Sequence, residues 1–431
     1  MRVAIFTFFI LFIILPNNLK AQRLSDTLKL DLTSKVDSLI NFGIQRKAFP
    51  GAQVLIFKKD SIRVNKTYGY HTYDSLIPVS KNDLYDLASV TKVLASTLAI
   101  MKLYELYGFN IKDPVSKWIP SLKKSNKQNH SFEQILSHSA GWLPYIAHQN
   151  LVLNKRGNFK RNTLSNIKDS RFPGYVSDSL YVHKRYQKKI FRRIKKTKLT
   201  TMGEMVYSGM FYFYLPQLVK RMSGLSFSEF LDTHFYDSMK LERITFLPTS
   251  KFSKTEIVPT ERDSVFRKQL VHGWVHDEAA SLMGGISGNA GLFANANSIA
   301  PLLQMLLQKG IYKGRQFLNP KTITLFSQRT YPEGSNPRGL GFDKPSLDLK
   351  DTNRYPSTLV SHKTFGHTGY TGTMVWIDPE YDCFVILLTN RVYPFRQQRG
   401  LYELNIRPRL LNYTIKDVSY THLTQPTKRI V

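Results

Sequence analysis

The chain has 431 residues, 42% of them hydrophobic and 13% aromatic, a globular composition with ample core material that excludes a disordered polymer. Its length fits two or three domains, or one large two-lobed one. Its single cysteine, Cys383, excludes an intrachain disulfide, and its formal charge of +30 favours an anionic partner.

The opening "MRVAIFTFFILFIILPNNLKAQ" places Arg2 before an apolar run from Val3 to Leu15. That run is shorter than the about 20 residues a membrane span needs, so residues 1–21 read as a secretory signal cleaved near Ala21. The competing reading is an uncleaved anchor, because Leu19 is not small. Export implies a secreted or periplasmic protein of the bacterial cell envelope, and no later stretch is long and apolar enough to span.

In "LDLTSKVDSLINFGIQRKA", Leu30, Leu32, Val36, Leu39, Ile40 and Phe42 fall near helical spacing. "GAQVLIFKKDSIRVNKTYGY" reads as two strands joined at Lys58-Lys59-Asp60. From Asp86 to Gly108, Val90, Val93, Leu94, Leu98, Met101 and Leu103 predict a buried helix. "SFEQILSHSAGW" predicts a short capped helix. The basic, aperiodic segment 145–200 is too long for a plain loop, so it covers something or contains short helices.

"EMVYSGMFYFYLPQLVKRMSG" reads as a helix with Tyr207 near its start and Gly224 at its end, and "SFSEFLDTHFYDSM" as another. Residues 284–310 pair a Gly-rich loop with a capped helix. "TFGHTGYTGTMVWIDPEYDCFVILLTNR" gives two strands about an Asp378-Pro379 turn, with Cys383 a buried core thiol. The ending "VSYTHLTQPTKRIV" has no helical or strand period, and residues 416–431 are set aside as a non-native tail. Sheet elements at both ends with helices between predict an α+β fold. The expected form is an antiparallel sheet flanked by helices, with an inserted, mostly helical lobe over roughly 85–330 and a site in the cleft between them.

Within "DLASVTKVLAS", Ser89 and Lys92 lie three apart, on one face of a helix. A serine needs a proton acceptor to become nucleophilic, and a nearby lysine amine fits that need. The helix N-terminus favours negative charge developing at Ser89. Tyr207 follows in "VYSG", and then "HTGYTGT", His367 to Thr373.

A Ser-x-x-Lys helix, a Tyr-x-Asn loop and a Lys-Thr-Gly strand, in that order, are the pattern of serine β-lactamases and penicillin-binding peptidases. The chain resembles the class C branch of that superfamily, which includes esterases and D-amino peptidases. "ILSHSAGW", "GGISGNAGLFANANSIAPLLQMLL", "GWVHDE", "DSLYV" and "TNRVYP" carry the likeness further, toward the β-lactamase-like domain of some secreted glycosidases. It covers about residues 30–410 and implies one hydrolase domain over 22–415.

The resemblance implies Ser89 as acylated nucleophile and Lys92 as its charge partner. Tyr207 would be the proton acceptor, kept near phenolate by Lys92 and His367. The backbone N–H groups of Ser89 and Tyr370 would form an oxyanion hole, beside Thr368 and Gly369. Two positions depart from the pattern. His367 replaces a lysine and could change charge near neutral pH, and Gly209 replaces the asparagine whose amide meets the acyl carbonyl.

The expected activity is therefore a serine hydrolase acting on amides or esters, such as D-amino acid cell-wall peptides, without metal or organic cofactor. The alternatives are a small-acyl esterase and a non-hydrolytic envelope-binding or sensor module. His272, His276 and Asp277 lack a zinc-helix spacing and read as loop residues, and His138 as structural. No Gly-x-Ser-x-Gly elbow occurs, and Gly284, Gly285 and Gly288 lack a phosphate-loop ending. The cations of 184–198, from Lys184 to Lys198, would meet an anionic cell envelope rather than nucleic acid, or form only a solvated face.

Overall fold

A computed structural model describes residues 17–348 and 354–423. Its largest sheet has five antiparallel strands, in the order Phe365–Thr368, Met374–Asp378, Cys383–Thr389, Gly51–Lys58 and Ser61–Gly69. The two ends of the sequence meet at its centre, where Ala52 pairs with Thr389 and Lys58 with Cys383.

Alternation fixes what each face does. Along Gly51–Lys58, Ala52, Val54 and Ile56 join one core and Leu55 and Phe57 the other, so the whole strand is buried. The first core is closed by helices Asn17–Gln45 and Ile406–Leu423, through Leu32, Val36, Leu39 and Ile40 on one and Leu410 on the other. The second core joins the sheet to the inserted lobe through helices Leu98–Tyr107 and Ala296–Leu307. On the edge strand, Phe365 belongs to that lobe-side core, and His367, two residues on, shares its face.

The α+β architecture with a large insertion is as expected, with differences in detail. The lobe also carries four small antiparallel sheets, one pairing Tyr85–Asp86 with Leu292–Ala294 and Ile244–Phe246. Segment 145–200 folds as three short strands and the helix Tyr186–Lys196. The expected leader falls mostly outside the described residues, and 17–21 are helical. The last helix runs to Leu423, into the stretch set aside as a tail, and half-buried Asp417 lies 3.9 Å from Lys58. Helical folding of 418–423 was hidden because "VSYTHL" lacks an apolar period. Residues 424–431 lie outside the description.

Gln53 fastens sheet to lobe. From inside the buried strand its Nε2 donates to the carbonyls of Ser80 (2.7 Å) and Asp83 (3.0 Å), and its Oε1 accepts the Ala296 N–H (2.8 Å). Gln53→Leu roughly keeps the volume but leaves the Asp83 carbonyl and the Ala296 N–H unpaired, while the Ser80 carbonyl keeps the Asp83 N–H. It is expected to cost on the order of 3 kcal/mol in urea unfolding, and an unchanged midpoint would remove Gln53 from this role.

Candidate active site

Ser89 opens the lobe's buried helix, but not as a plain α-helix. Ala88–Val90 form a 3-10 turn, Lys92–Thr97 a π-turn, and α-helix begins only at Leu98. The expected continuous helix from Asp86 is thus corrected. Ala88 has φ 45°, a left-handed conformation costing on the order of 1 kcal/mol, and the Asp86 carboxylate holds it there by accepting the Ala88 N–H at 2.8 Å. The other Asp86 oxygen accepts the His276 N–H at 2.6 Å, and burial raises the carboxyl's pKa despite both bonds. Two threonine hydroxyls tie this turn to the strand side: Thr371 donates to the Asp86 carbonyl (2.7 Å) and Thr373 to that of Leu87 (2.9 Å).

Lys92 is 2% exposed. Its Nζ donates to Ser89 Oγ at 3.0 Å and to the Asn289 carbonyl at 2.9 Å, and it lies 5.3 Å and 5.5 Å from the ring centres of Tyr207 and Tyr212. The Tyr207 phenol neighbours both Lys92 and Ser89. Burial opposes ionisation of that phenol, but the charge and hydrogen bond of Lys92, the Ser89 bond and the Arg338 charge together pull its pKa below the ordinary value. Tyr207 lies in a loop, because the helix expected from Glu204 starts at Leu215, after a 3-10 turn over Phe211–Tyr214. Pro216, which lacks an N–H, suits that later start.

Sequence reasoning missed Arg338. It is 4% exposed, pairs with Asp343 and places its guanidinium carbon 5.8 Å from the Tyr207 ring centre. Its presence corrects the expectation for His367. Burial, then Arg338 and Lys92, push that imidazole well below its ordinary pKa, so it is neutral at pH 7. Its Nδ1 lies 2.7 Å from the Thr368 carbonyl, which can only accept, so Nδ1 carries the hydrogen and Nε2 the lone pair. The second cation beside Tyr207 is therefore Arg338. His138 is neutral too: burial lowers its pKa, and its Nδ1 accepts the Ser208 N–H at 3.1 Å, steadying the Tyr207 loop.

Two cavities open on Ser89 and Tyr207. The larger, about 500 Å³, is lined by Thr368, Gly369, Tyr370, Trp376, Tyr402 and Arg407 among others. The smaller, about 290 Å³, is lined by Lys92, Tyr145, His148, Gly209, Asp277 and Asn289. Segment 145–200 thus walls the smaller one, while six cations on or beside its helix, Lys184, Arg185, Lys188, Arg192, Lys196 and Lys198, face outward. The Tyr370 N–H has no acceptor among the described residues, and Arg407 braces its turn by donating to the Gly369 (2.8 Å) and Thr373 (2.9 Å) carbonyls. His276 Nε2 lies 2.8 Å from Glu261, and His272 Nε2 2.6 Å from the Ile257 carbonyl. Both are loop contacts.

A family model described as Beta-lactamase matches residues 36–406. The chain belongs to that family. A protein of Salmonella agona (strain SL483), provisionally named D-alanyl-D-alanine carboxypeptidase, is 29% identical over 378 residues, 80% of this chain and 79% of that one. Among solved structures, EstCE1, a hydrolase with promiscuous acyltransferase activity, superposes with a TM-score of 0.64 at 20% identity, covering 89% of this chain and 99% of its own. A penicillin-binding protein homologue from Caulobacter crescentus gives 0.62 at 16% identity, covering 90% and 98%. At these identities the structural likeness is one of fold. The chain is an enzyme of the beta-lactamase family, a serine hydrolase.

Of the residues expected at a site in this family, Ser89, Lys92, Tyr207 and Gly209 come together from the lobe, and His367, Thr368, Gly369 and Tyr370 from the strand edge. Gly369 is required by contact: a Cβ there would lie 2.5 Å from the Leu87 carbonyl oxygen and collide with Thr373 Oγ1. Gly369→Ala is expected to push the turn off the Ser89 segment and lower kcat/KM on the order of 10²-fold on any ester, and unchanged kinetics would separate that turn from the site.

Proposed function

We propose that the protein cleaves amides or esters through an acyl-enzyme on Ser89. One observation carries the reading: Ser89 Oγ is within 3.0 Å of a buried ammonium, and the Tyr207 phenol lies beside both. Tyr207 in its phenolate form takes the Ser89 proton as Oγ attacks the carbonyl carbon. The tetrahedral oxyanion is met by the backbone N–H groups of Ser89 and Tyr370, each donor worth about 3 kcal/mol. Collapse breaks the bond to the leaving group, which takes the proton from Tyr207. Water then adds to the acyl-enzyme, giving its proton to Tyr207, and collapse breaks the acyl carbon–Oγ bond as Tyr207 returns that proton to Ser89 Oγ, releasing the acid. Lys92 holds Tyr207 ready through its position beside Ser89.

The relative named for D-alanyl-D-alanine carboxypeptidase supports D-amino acid cell-wall peptides as substrates. The apolar N-terminal run supports export, as one hydrolase domain from residue 22 through the last helix, and the outward cations of 184–198 support contact with an anionic envelope. A second reading, an esterase, is favoured by the larger cavity, where Met374, Trp376, Leu401 and Tyr402 suit a bulky apolar group.

A fluorescent penicillin and a fluorophosphonate are expected to label the protein but not Ser89→Ala. Turnover of D-Ala-D-Ala peptides against p-nitrophenyl esters then decides between peptidase and esterase. Lys92→Ala and Tyr207→Phe are each expected to lose about 10² to 10⁴-fold in kcat/KM. Labelling that survives in Ser89→Ala would overturn the scheme.

The pH profile follows from the charges. Tyr207 accepts a proton only when ionised, so kcat/KM falls as pH drops through its lowered pKa. Removing a neighbouring cation raises that pKa, so Arg338→Gln is expected to move the acid limb to higher pH, while Arg338→Lys restores it. His367→Gln is expected to leave the limb in place, because His367 is already neutral. A limb that moves with His367 and not with Arg338 would reverse the assignment.

A further inference from the structure

Gly209 leaves an empty corner beside the nucleophile, and the molecule puts a different side chain against it. A Cβ built at Gly209 meets only one neighbour within 4 Å, the Cβ of Asn289 at 3.7 Å. Asn289 comes from the Gly-rich loop, some 80 residues further along the chain, yet it lines the smaller cavity with Ser89, Lys92, Tyr207 and Gly209. It is fixed at both ends. Its backbone carbonyl accepts Lys92 Nζ at 2.9 Å, and its Oδ1 accepts the Ser287 hydroxyl at 2.7 Å. With the oxygen so used, the side-chain nitrogen holds two hydrogens for which no described residue is an acceptor, although Asn289 is only 5% exposed. A donor left unpaired at a cavity wall, on an otherwise buried residue, is placed to meet an acceptor on whatever fills the cavity.

We propose that the Asn289 side-chain amide binds a carbonyl oxygen of the substrate's acyl portion in the smaller cavity, and so selects acyl groups that carry an amide, such as N-acyl-aminoacyl or peptidyl groups, over plain alkanoyl groups. This rests on the acylation of Ser89 proposed above and adds what the acyl group must contain. Asn289→Ala removes the donor and keeps the backbone carbonyl that holds Lys92. The open space at 209 also permits the converse experiment, in which Gly209→Asn supplies an amide from the other side of the same corner.

The test compares two p-nitrophenyl esters with one leaving group, N-acetyl-D-alanyl and propionyl. The unsubstituted protein is expected to prefer the first, and Asn289→Ala to reduce the ratio of their kcat/KM values about tenfold or more. Gly209→Asn in the Asn289→Ala background is expected to regain most of that ratio, which mere repair of packing would not do. A ratio unchanged in Asn289→Ala, an equal fall on both esters, or a double variant that regains nothing would overturn the proposal. A fluorophosphonate, which carries no amide, reports on Ser89 separately: labelling of all three proteins locates any failure in the role of Asn289, whereas no labelling of the unsubstituted protein overturns the acylation reading and this one with it.

Discussion

An ammonium almost wholly removed from water is the constraint around which this site is arranged. Lys92 keeps its place because Ser89 Oγ and the Asn289 carbonyl accept from it and the faces of Tyr207 and Tyr212 flank it. Arg338 adds a second buried cation, and Asp343 balances only one of the two. The surplus positive charge has one outlet that chemistry can use, the Tyr207 phenol, whose ionised form it favours. Burial first, and then the same cations, drive the two histidines beside Tyr207 toward their deprotonated form as well. His138 and His367 lie 4.7 Å and 5.9 Å from its ring and are both held neutral.

That charge distribution works only if two distant stretches of chain are held in register. Ser89 rides on the lobe, and His367 to Tyr370 on the edge of the sheet. Hydroxyls of Thr371 and Thr373 grip the carbonyls just before Ser89, across 285 or more residues of sequence. Asp86 is the other half of the clasp. One carboxylate keeps Ala88 in its left-handed turn and anchors the His276 loop at the same time. Arg407, from the last helix, reaches the same turn by donating to Gly369 and Thr373, so the C-terminal helix supports the site as well as the sheet.

Much of this was legible before any coordinates. The strands at both ends, the inserted lobe and the order of Ser89, Lys92, Tyr207 and the Thr368-Gly369 turn are local patterns, and local patterns survive in a linear sequence. Arg338, Asp343 and Asn289 were not legible, because each sits in an aperiodic loop and acquires its role only from neighbours far along the chain. The charge of His367 was misread for a related reason. An imidazole's state depends on its burial and on nearby cations, and neither Lys92 nor Arg338 adjoins it in sequence. The broken start of the Ser89 helix escaped notice because its apolar spacing is that of an ordinary helix, while the turn at Ala88 is imposed by Asp86.

The division of the cleft follows from Tyr207 itself. The residue is 37% exposed although its hydroxyl is turned inward to Ser89 and Lys92, so its ring forms a shared wall of both cavities. A proton carrier in an acyl transfer has to meet the nucleophile on one step and the leaving group on the next, and a phenol buried on all sides could serve only the first. With Tyr207 and Ser89 between them, the cavity by Trp376 and the one by Asn289 both open on the reacting centre. The two halves of a scissile bond can then be selected separately, one against the unpaired Asn289 amide and the other against the rings of Trp376 and Tyr402.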